Sequence, residues 1–258
     1  MAVTNEVSAA ADAAARRIEE ASLRAWPALT DTDFDGWRLR FSRGYTRRAN
    51  SITPLGASML SLDDKLATCE RLYAERDLPP IFRLTPFAPP ELDDVLARRG
   101  YRLGDRVEVR ALDLAAYAPP APTVPVRGQF RAHGLEPWLD LFCELAASMP
   151  GSRAAHRDVL NRVPGVRRLV ALWSEGRPVS CGMGVLAEGL LGLFDLVTAT
   201  QHRGRGFGSE LLRRILLWGA RRGAAEAYLQ VLDRNAVARR IYERAGFRVV
   251  YHYHYRER

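Results

Sequence analysis

Between Asp195 and Leu212 the chain reads DLVTATQHRGRGFGSELL, and no other stretch limits the fold as tightly. A run rich in β-branched and apolar residues, Leu190–Thr198, predicts a strand. It meets three glycines at alternate positions: Gly204, Gly206 and Gly208. Beyond them Leu211, Leu212, Ile215, Leu216 and Trp218 recur at helical spacing, which predicts a helix over Gly206–Arg222. A strand that passes through a side-chain-poor turn directly into a helix belongs to an α/β sheet. Glycine has no Cβ to block approach or to forbid positive φ, so successive N–H groups of the turn can converge on one concavity. The unsatisfied N–H groups and dipole of the following helix add to them. The segment Gln201–Ser209 therefore reads as a cradle for two linked phosphoryl groups.

The elements around this junction alternate in type. In the second half, Arg127–Ala132, Arg168–Trp173, Val179–Leu186, Ala227–Leu232 and Phe247–Tyr255 read as further strands, and Leu135–Ala147, Ala154–Val163 and Asn235–Ala245 as helices. The order βααβββαβαβ implies a mixed central sheet flanked by helices. The first half echoes it: helix Ala9–Ala25, strands Gly36–Phe41 and Arg47–Ile52, helix Leu62–Glu75 capped by Ser61, strand Ile81–Thr85, helix Pro90–Arg99 and strand Tyr101–Leu112. Arg98-Arg99-Gly100-Tyr101 and Arg244-Ala245-Gly246-Phe247 both end a helix at glycine and open a strand at an aromatic residue. At the level of pattern this is an internal duplication. The proline-dense stretch 118–126, APPAPTVPV, separates the halves, so residues 1–117 and 127–258 are expected as two domains joined by a linker.

Three families of phosphate-binding loop can be compared with the turn. A Walker A loop ends in Gly-Lys-Ser/Thr, and here Gly208-Ser209 has no lysine between. A dinucleotide fingerprint needs GxGxxG, whereas Gly204–Gly208 is GxGxG. Gln201-His202-Arg203-Gly204-Arg205-Gly206 fits the remaining pattern, Gln/Arg-x-x-Gly-x-Gly/Ala, and so resembles the acetyl-CoA motif of the GCN5-related N-acetyltransferases (GNAT). Asn235-x-x-Ala238-x-x-x-Tyr242-x-x-x-Gly246-Phe247 resembles that family's next motif, with Asn235, Ala238 and Tyr242 on one helix face. The resemblance implies a mixed α/β sheet of the GNAT type, in a tandem arrangement of two GNAT-like halves of which the first is degenerate. It departs from the family at the end: the family closes with two antiparallel strands, and only one follows Tyr242, so a seventh strand has to come from elsewhere, the first half included.

The resemblance further implies that Arg203, Gly204, Arg205, Gly206, Phe207, Gly208 and Ser209 hold the pyrophosphate through their backbone, that Leu196, Val197 and Thr198 bond the pantetheine arm like an added strand, and that Asn235 and Tyr242 line the cofactor. Unpaired backbone on Leu190–Thr198 requires the next parallel strand, Ala227–Leu232, to splay away. Tyr242 is expected as the acid that protonates the departing thiolate, with a core tyrosine as the competing role. Asp195, a carboxylate amid Phe194, Leu196 and Val197, is the candidate base or ammonium anchor, with a structural ion pair as its alternative. Glu188 is a second carboxylate candidate. With no cysteine near the motif in the chain, direct attack by the amine is expected rather than an acyl-enzyme.

The place where a second cradle would fall, TPLGASMLS at 53–61, has one glycine and is not expected to bind CoA. Arg47, Arg48 and Asn50 are candidates there for contact with an anionic acceptor group, against a plain surface charge cluster. Net charge is +8, mostly scattered arginine. It suits an anionic coenzyme but shows no basic face interleaved with aromatics, so no nucleic-acid partner is expected. No apolar run reaches the length of a membrane span and the start lacks a secretory pattern, so a cytoplasmic protein is expected. Cys69, Cys143 and Cys181 form no disulfide framework or zinc spacing, and His252 with His254 lacks a third ligand, so no metal is expected. The expectation is an acetyl-CoA-dependent N-acetyltransferase acting on a small-molecule amine, as a monomer or homodimer. A CoA-binding regulatory module without turnover is the alternative.

Overall fold

A computed structural model describes residues 2–56, 58–115, 117–119, 128–147 and 152–258. The proline-rich stretch 118–126 falls outside the described residues from 120 onward. In chain order the elements of the first half are α1 (Ala2–Ala25), β1 (Thr30–Phe34), β2 (Trp37–Phe41), β3 (Ile52–Pro54), α2 (Leu62–Ala74), β4 (Ile81–Leu84), α3 (Leu92–Arg98) and β5 (Arg102–Asp113). The second half continues with β6 (Gln129–Ala132), α4 (Leu135–Ala146), α5 (Ser152–Leu160), β7 (Val166–Ser174), β8 (Arg177–Ala187), β9 (Leu190–Thr198), α6 (Phe207–Arg221), β10 (Glu226–Leu232), α7 (Ala236–Arg244) and β11 (Arg248–Glu257).

One expectation fails in the first half, and one strand is additional to those expected. The strand expected over Arg47–Ile52 is a short 3-10 turn, Arg47–Ala49, followed by β3. The Asn50 side chain competes with a ladder there: its Oδ1 accepts from the N–H of Ser42 at 2.6 Å and Gly44 at 3.0 Å, and its Nδ2 donates to the carbonyls of Tyr45 and Thr46 at 2.7 and 2.9 Å. Strand β1, TDTDF, was not expected, because an exposed edge strand carries no apolar alternation.

All the strands join one sheet in the order β1-β2-β3-β4-β11-β5-β10-β9-β8-β7-β6. The halves exchange strands. β5, from the first half, lies antiparallel to β10 (Tyr228 opposite Ala111) and so supplies the strand the second half lacks. β11, from the second half, lies between β5 (His252 opposite Glu108) and β4 (His254 opposite Leu84).

Helices α1, α4 and α5 cover one face of the sheet, with Ile18, Trp138, Leu139, Val159 and Phe194 among the buried residues. On the opposite face α6 packs Leu211, Leu212, Ile215 and Leu216 over Val170, Leu191, Leu193 and Leu229, with α7 beside it. A third cluster joins α2 and α3 to β2 and β4 through Trp37, Leu66, Tyr73, Phe82 and Leu96. Burying side chains of this size stabilises the fold by about 1.5–3 kcal/mol each. Helix α1 reaches across to β8 and β9, which carries Trp26, just beyond its end, into the second half. A buried pair sits under it: Glu19 accepts from Arg83 Nη2 at 2.9 Å and from the Tyr251 hydroxyl at 2.6 Å. Among the described residues no helix is long and apolar enough to cross a membrane.

Candidate functional site

The site begins with a bulge in β9. Its register with β8 runs through Phe194 opposite Met183 and resumes at Val197 opposite Cys181. Asp195 and Leu196 therefore share the single position facing Gly182. Asp195 has φ 54°, a left-handed conformation that aspartate adopts more readily than most residues. Gly182 makes the bulge possible, since a Cβ there would stand 2.7 Å from Leu196 Cδ2. On its other edge β9 pairs in parallel with β10 only from Leu190–Glu226 to Leu193–Leu229. Past that point the strands part, as the sequence led us to expect, and leave a wedge between Phe194–Thr198 and Gln230–Leu232.

At the α6 mouth of the wedge lies the glycine turn. Gly204 and Gly206 have φ 74° and 81°, conformations that L side chains rarely adopt. Gly206 stands at the N-cap of α6. Among the described residues, no protein acceptor takes the N–H groups from Gly204 to Ser209; the next, from Glu210, bonds the Gly206 carbonyl at 3.0 Å. Gly208 lies against β9, where a Cβ would meet Thr198 Oγ1 at 3.2 Å. The arginine side chains turn aside: Arg203 donates to the Thr198 carbonyl at 3.2 Å and Arg205 lies 3.1 Å from His202. Phe207 points into the core. Burial would raise Glu210, in the first turn of α6, but hydrogen bonds from Arg213 and Arg214 outweigh it and hold the carboxyl below its usual range. Its charge is therefore neutralised beside the turn. A bent backbone with unpaired donors and exposed Gly204 and Ser209 fits a pyrophosphate.

Along β9, Ser180 donates to the Val197 carbonyl at 2.7 Å and sits 3.0 Å from Thr198 Oγ1, which fixes this edge of the wedge. Asn235 caps α7 by accepting from the Ala238 N–H at 3.1 Å. Tyr242, half-buried on the same helix, packs edge-on against Phe247 at 6.0 Å. Burial pushes its hydroxyl up to about 12, and among the described residues that hydroxyl has no hydrogen-bond partner.

On the opposite face the bulge aims Asp195 at His156 of α5, with Oδ2 and Nε2 2.9 Å apart. The Asp195 side chain keeps 11% of its exposure and that of His156 only 2%. Around the imidazole stand Phe142 (4.9 Å), Tyr45 (5.3 Å), Trp26 (5.6 Å) and Trp138 (5.9 Å), centroid to centroid. Burial, and secondarily the charge of Asp195, raise the Tyr45 hydroxyl well above the usual tyrosine range.

His156 did not emerge from the sequence. Its only signal was a histidine on the same helix face as Val159 and Leu160. Cys181, on β8, lies in the buried core within electrostatic range of Asp195. It is fully buried, and burial together with Asp195 pushes its thiol up, so it is a poor nucleophile. The other candidates lie elsewhere. Glu188, in the turn before β9, pairs with Arg24 at 2.7 Å at the far end of the strand. His254 lies 3.0 Å from Asp93, which also accepts from Arg256. Among the described residues no group of three metal-binding side chains exists.

In the first half, the loop before α2 wraps a carboxylate of the chain itself. Asp35 accepts from the N–H groups of Met59 and Leu60 at 2.8 and 3.0 Å and from the Ser58 hydroxyl at 2.6 Å. These bonds hold its carboxyl far below the usual range. The position matching the glycine turn is thus occupied from within.

Comparison with known proteins bears on the family and the fold. The family model described as the acetyltransferase (GNAT) family matches residues 133–247. The model described as the C-terminal part of the probable histone acetyltransferase Rv0428c matches residues 12–128. The uncharacterized N-acetyltransferase YobR of Bacillus subtilis is 28% identical over 242 residues, covering 93% of this chain and 97% of that one. Among solved structures, a GCN5-related N-acetyltransferase from Kribbella flavida superposes with a TM-score of 0.71 at 17% identity, covering 94% of both chains. A tandem GNAT protein from the clavulanic acid biosynthesis pathway gives 0.60 at 15% identity, covering 81% of this chain and 74% of that one. With a mixed sheet of GNAT type running through both halves and the family's acetyltransferase domain over residues 133–247, the second half belongs to the GCN5-related N-acetyltransferase superfamily and the chain is an N-acetyltransferase.

Proposed function

We propose that this enzyme moves the acetyl group of acetyl-CoA directly to a primary amine of a small molecule. The observation that carries the reading is the wedge at Asp195: unpaired backbone donors at one mouth, a carboxylate–imidazole pair at the other. In this reading the N–H groups of Gly204–Ser209 hold the pyrophosphate, and the edge of Leu196–Thr198 that β10 leaves unpaired takes the amides of the pantetheine arm. Asp195, oriented by His156, holds the acceptor amine and accepts its proton as the N–C bond forms. Tyr242 donates a hydrogen bond to sulfur as the C–S bond breaks, and the negative charge that Asp195 gives up on taking the amine proton leaves on the thiolate, so that the charge is balanced. The buried, unreactive thiol of Cys181 supports direct attack over an acyl-enzyme.

Residues 127–258 then form the catalytic domain and residues 1–117 a half that does not bind CoA, its loop being filled by Asp35. Free Cys69, Cys143 and Cys181 support a reducing, cytoplasmic setting.

The test is thiol release from acetyl-CoA with a panel of small amines. Asp195→Asn should lower kcat by about 100-fold or more, the contribution of a positioned base, with acetyl-CoA affinity retained. Tight CoA binding with no turnover on any amine would favour a regulatory module instead.

A further inference from the structure

We propose that the acceptor amine also carries a carboxylate, and that Arg48 binds it. This rests on the acetyl-transfer reading and narrows its substrate class. Three arginines of the loop after β2 face the second half, and two are occupied. Arg47 bonds Asp105 and Glu257 at 2.6 and 2.9 Å, and Arg43 bonds Asp158 at 3.2 Å. Among the described residues Arg48 has no carboxylate partner. Its guanidinium instead lies over the rings of Trp26 at 4.9 Å and Phe194 at 5.5 Å, which stack on each other at 5.6 Å.

Arg48 is held there by its backbone. Its carbonyl accepts from the buried Arg40 at 2.7 Å, and Asn50 closes the loop around it. Trp26 Nε1 donates to Thr46 Oγ1 at 3.1 Å, tying the aromatic floor to the same loop. A guanidinium stacked on rings keeps its planar fork free for a bidentate anion. A half-buried cation without a counter-charge is costly until an anion arrives.

The same floor leads to the base. Phe194 directly precedes Asp195, and Trp26 and Tyr45 both pack on His156. Tyr45 lies within electrostatic range of Asp195 and of Arg48. The end of β9 therefore presents a carboxyl group and a cation across an aromatic surface. An amine with a carboxylate matches both ends; a polyamine would set a cation against Arg48.

The experiment uses the full chain with acetyl-CoA and matched pairs of amines: phenylalanine with phenethylamine, lysine with cadaverine. The carboxylate-bearing member should be preferred in kcat/KM, and Arg48→Gln should collapse that preference by about 10- to 100-fold, the worth of charge-assisted hydrogen bonds. The loss should fall on the KM of the acid, and Arg48→Lys should restore part of it. Turnover of both members without preference, or a preference that survives Arg48→Gln, overturns the carboxylate while leaving acetyl transfer standing. Inertness toward every pair overturns acetyl transfer to small amines, and this inference with it.

Discussion

Replacing Tyr242 with phenylalanine tests how the leaving thiolate is handled. A thiol of ordinary acidity ionises near pH 8.5, so a hydroxyl at about 12 is weaker by roughly 3.5 units, or about 4.8 kcal/mol at 1.36 kcal/mol per unit. Complete proton transfer to a free thiolate is uphill by that amount. In the proposed mechanism Tyr242 therefore acts while the C–S bond is breaking, as a hydrogen-bond donor to sulfur whose charge is only partly developed. Losing one such donor costs about 2.7–4 kcal/mol, a drop of about 10²–10³ in kcat, with little change in KM for acetyl-CoA. Stability should scarcely move, because the hydroxyl has no protein partner to lose among the described residues. The raised value also sets a pH signature. An acid works while protonated, and a pKa raised from 10 to about 12 keeps Tyr242 protonated through pH 10. No fall of kcat between pH 8 and 10 should trace to it. Stopped-flow or thiol-trapping rates across this range decide the matter. A kcat unchanged in the variant, or an alkaline fall near pH 9 that vanishes with it, would refute the reasoning.

Two further expectations concern the cradle and the core. Gly206→Val puts a β-branched residue at φ 81°, at a cost of roughly 1–2 kcal/mol in the turn; calorimetry should show acetyl-CoA binding weakened at least about 10-fold, and unaltered affinity would remove the turn from the site. Glu19→Ala strands the Arg83 guanidinium and the Tyr251 hydroxyl in the core, so urea unfolding should show a loss of about 3–5 kcal/mol, and a loss under about 1 kcal/mol would mean the pair is solvated.

The parts of this molecule written in local periodicity were legible in its sequence. The strand, glycine turn and helix from Leu190 to Arg221 follow from β-branching, glycine spacing and a helical stripe within a few residues of one another. Asp195 stood out as an acid in an apolar strand, but its partner lies 39 residues away on a short polar helix, and nothing local marks His156 as facing it. Likewise, which of Arg47 and Arg48 is free depends on Asp105 and Glu257, 58 and 210 residues from Arg47. Asn50 reads as polar and available, yet every bond it makes closes its own loop. The exchange of β5 and β11 left only one trace, a strand too few after Tyr242.

That exchange shapes how the chain is made. A ribosome releases β4 long before β11, whose His254 pairs with Leu84 across 170 residues. At about 5–20 residues per second the inner edge of β4 waits roughly 9–34 s for its neighbour. During that interval a nascent first half carries a naked strand rim of the kind that recruits chaperones or sticks to a sister chain. Completion of the sheet's centre is thereby deferred until β11 emerges and fills the gap between β4 and β5.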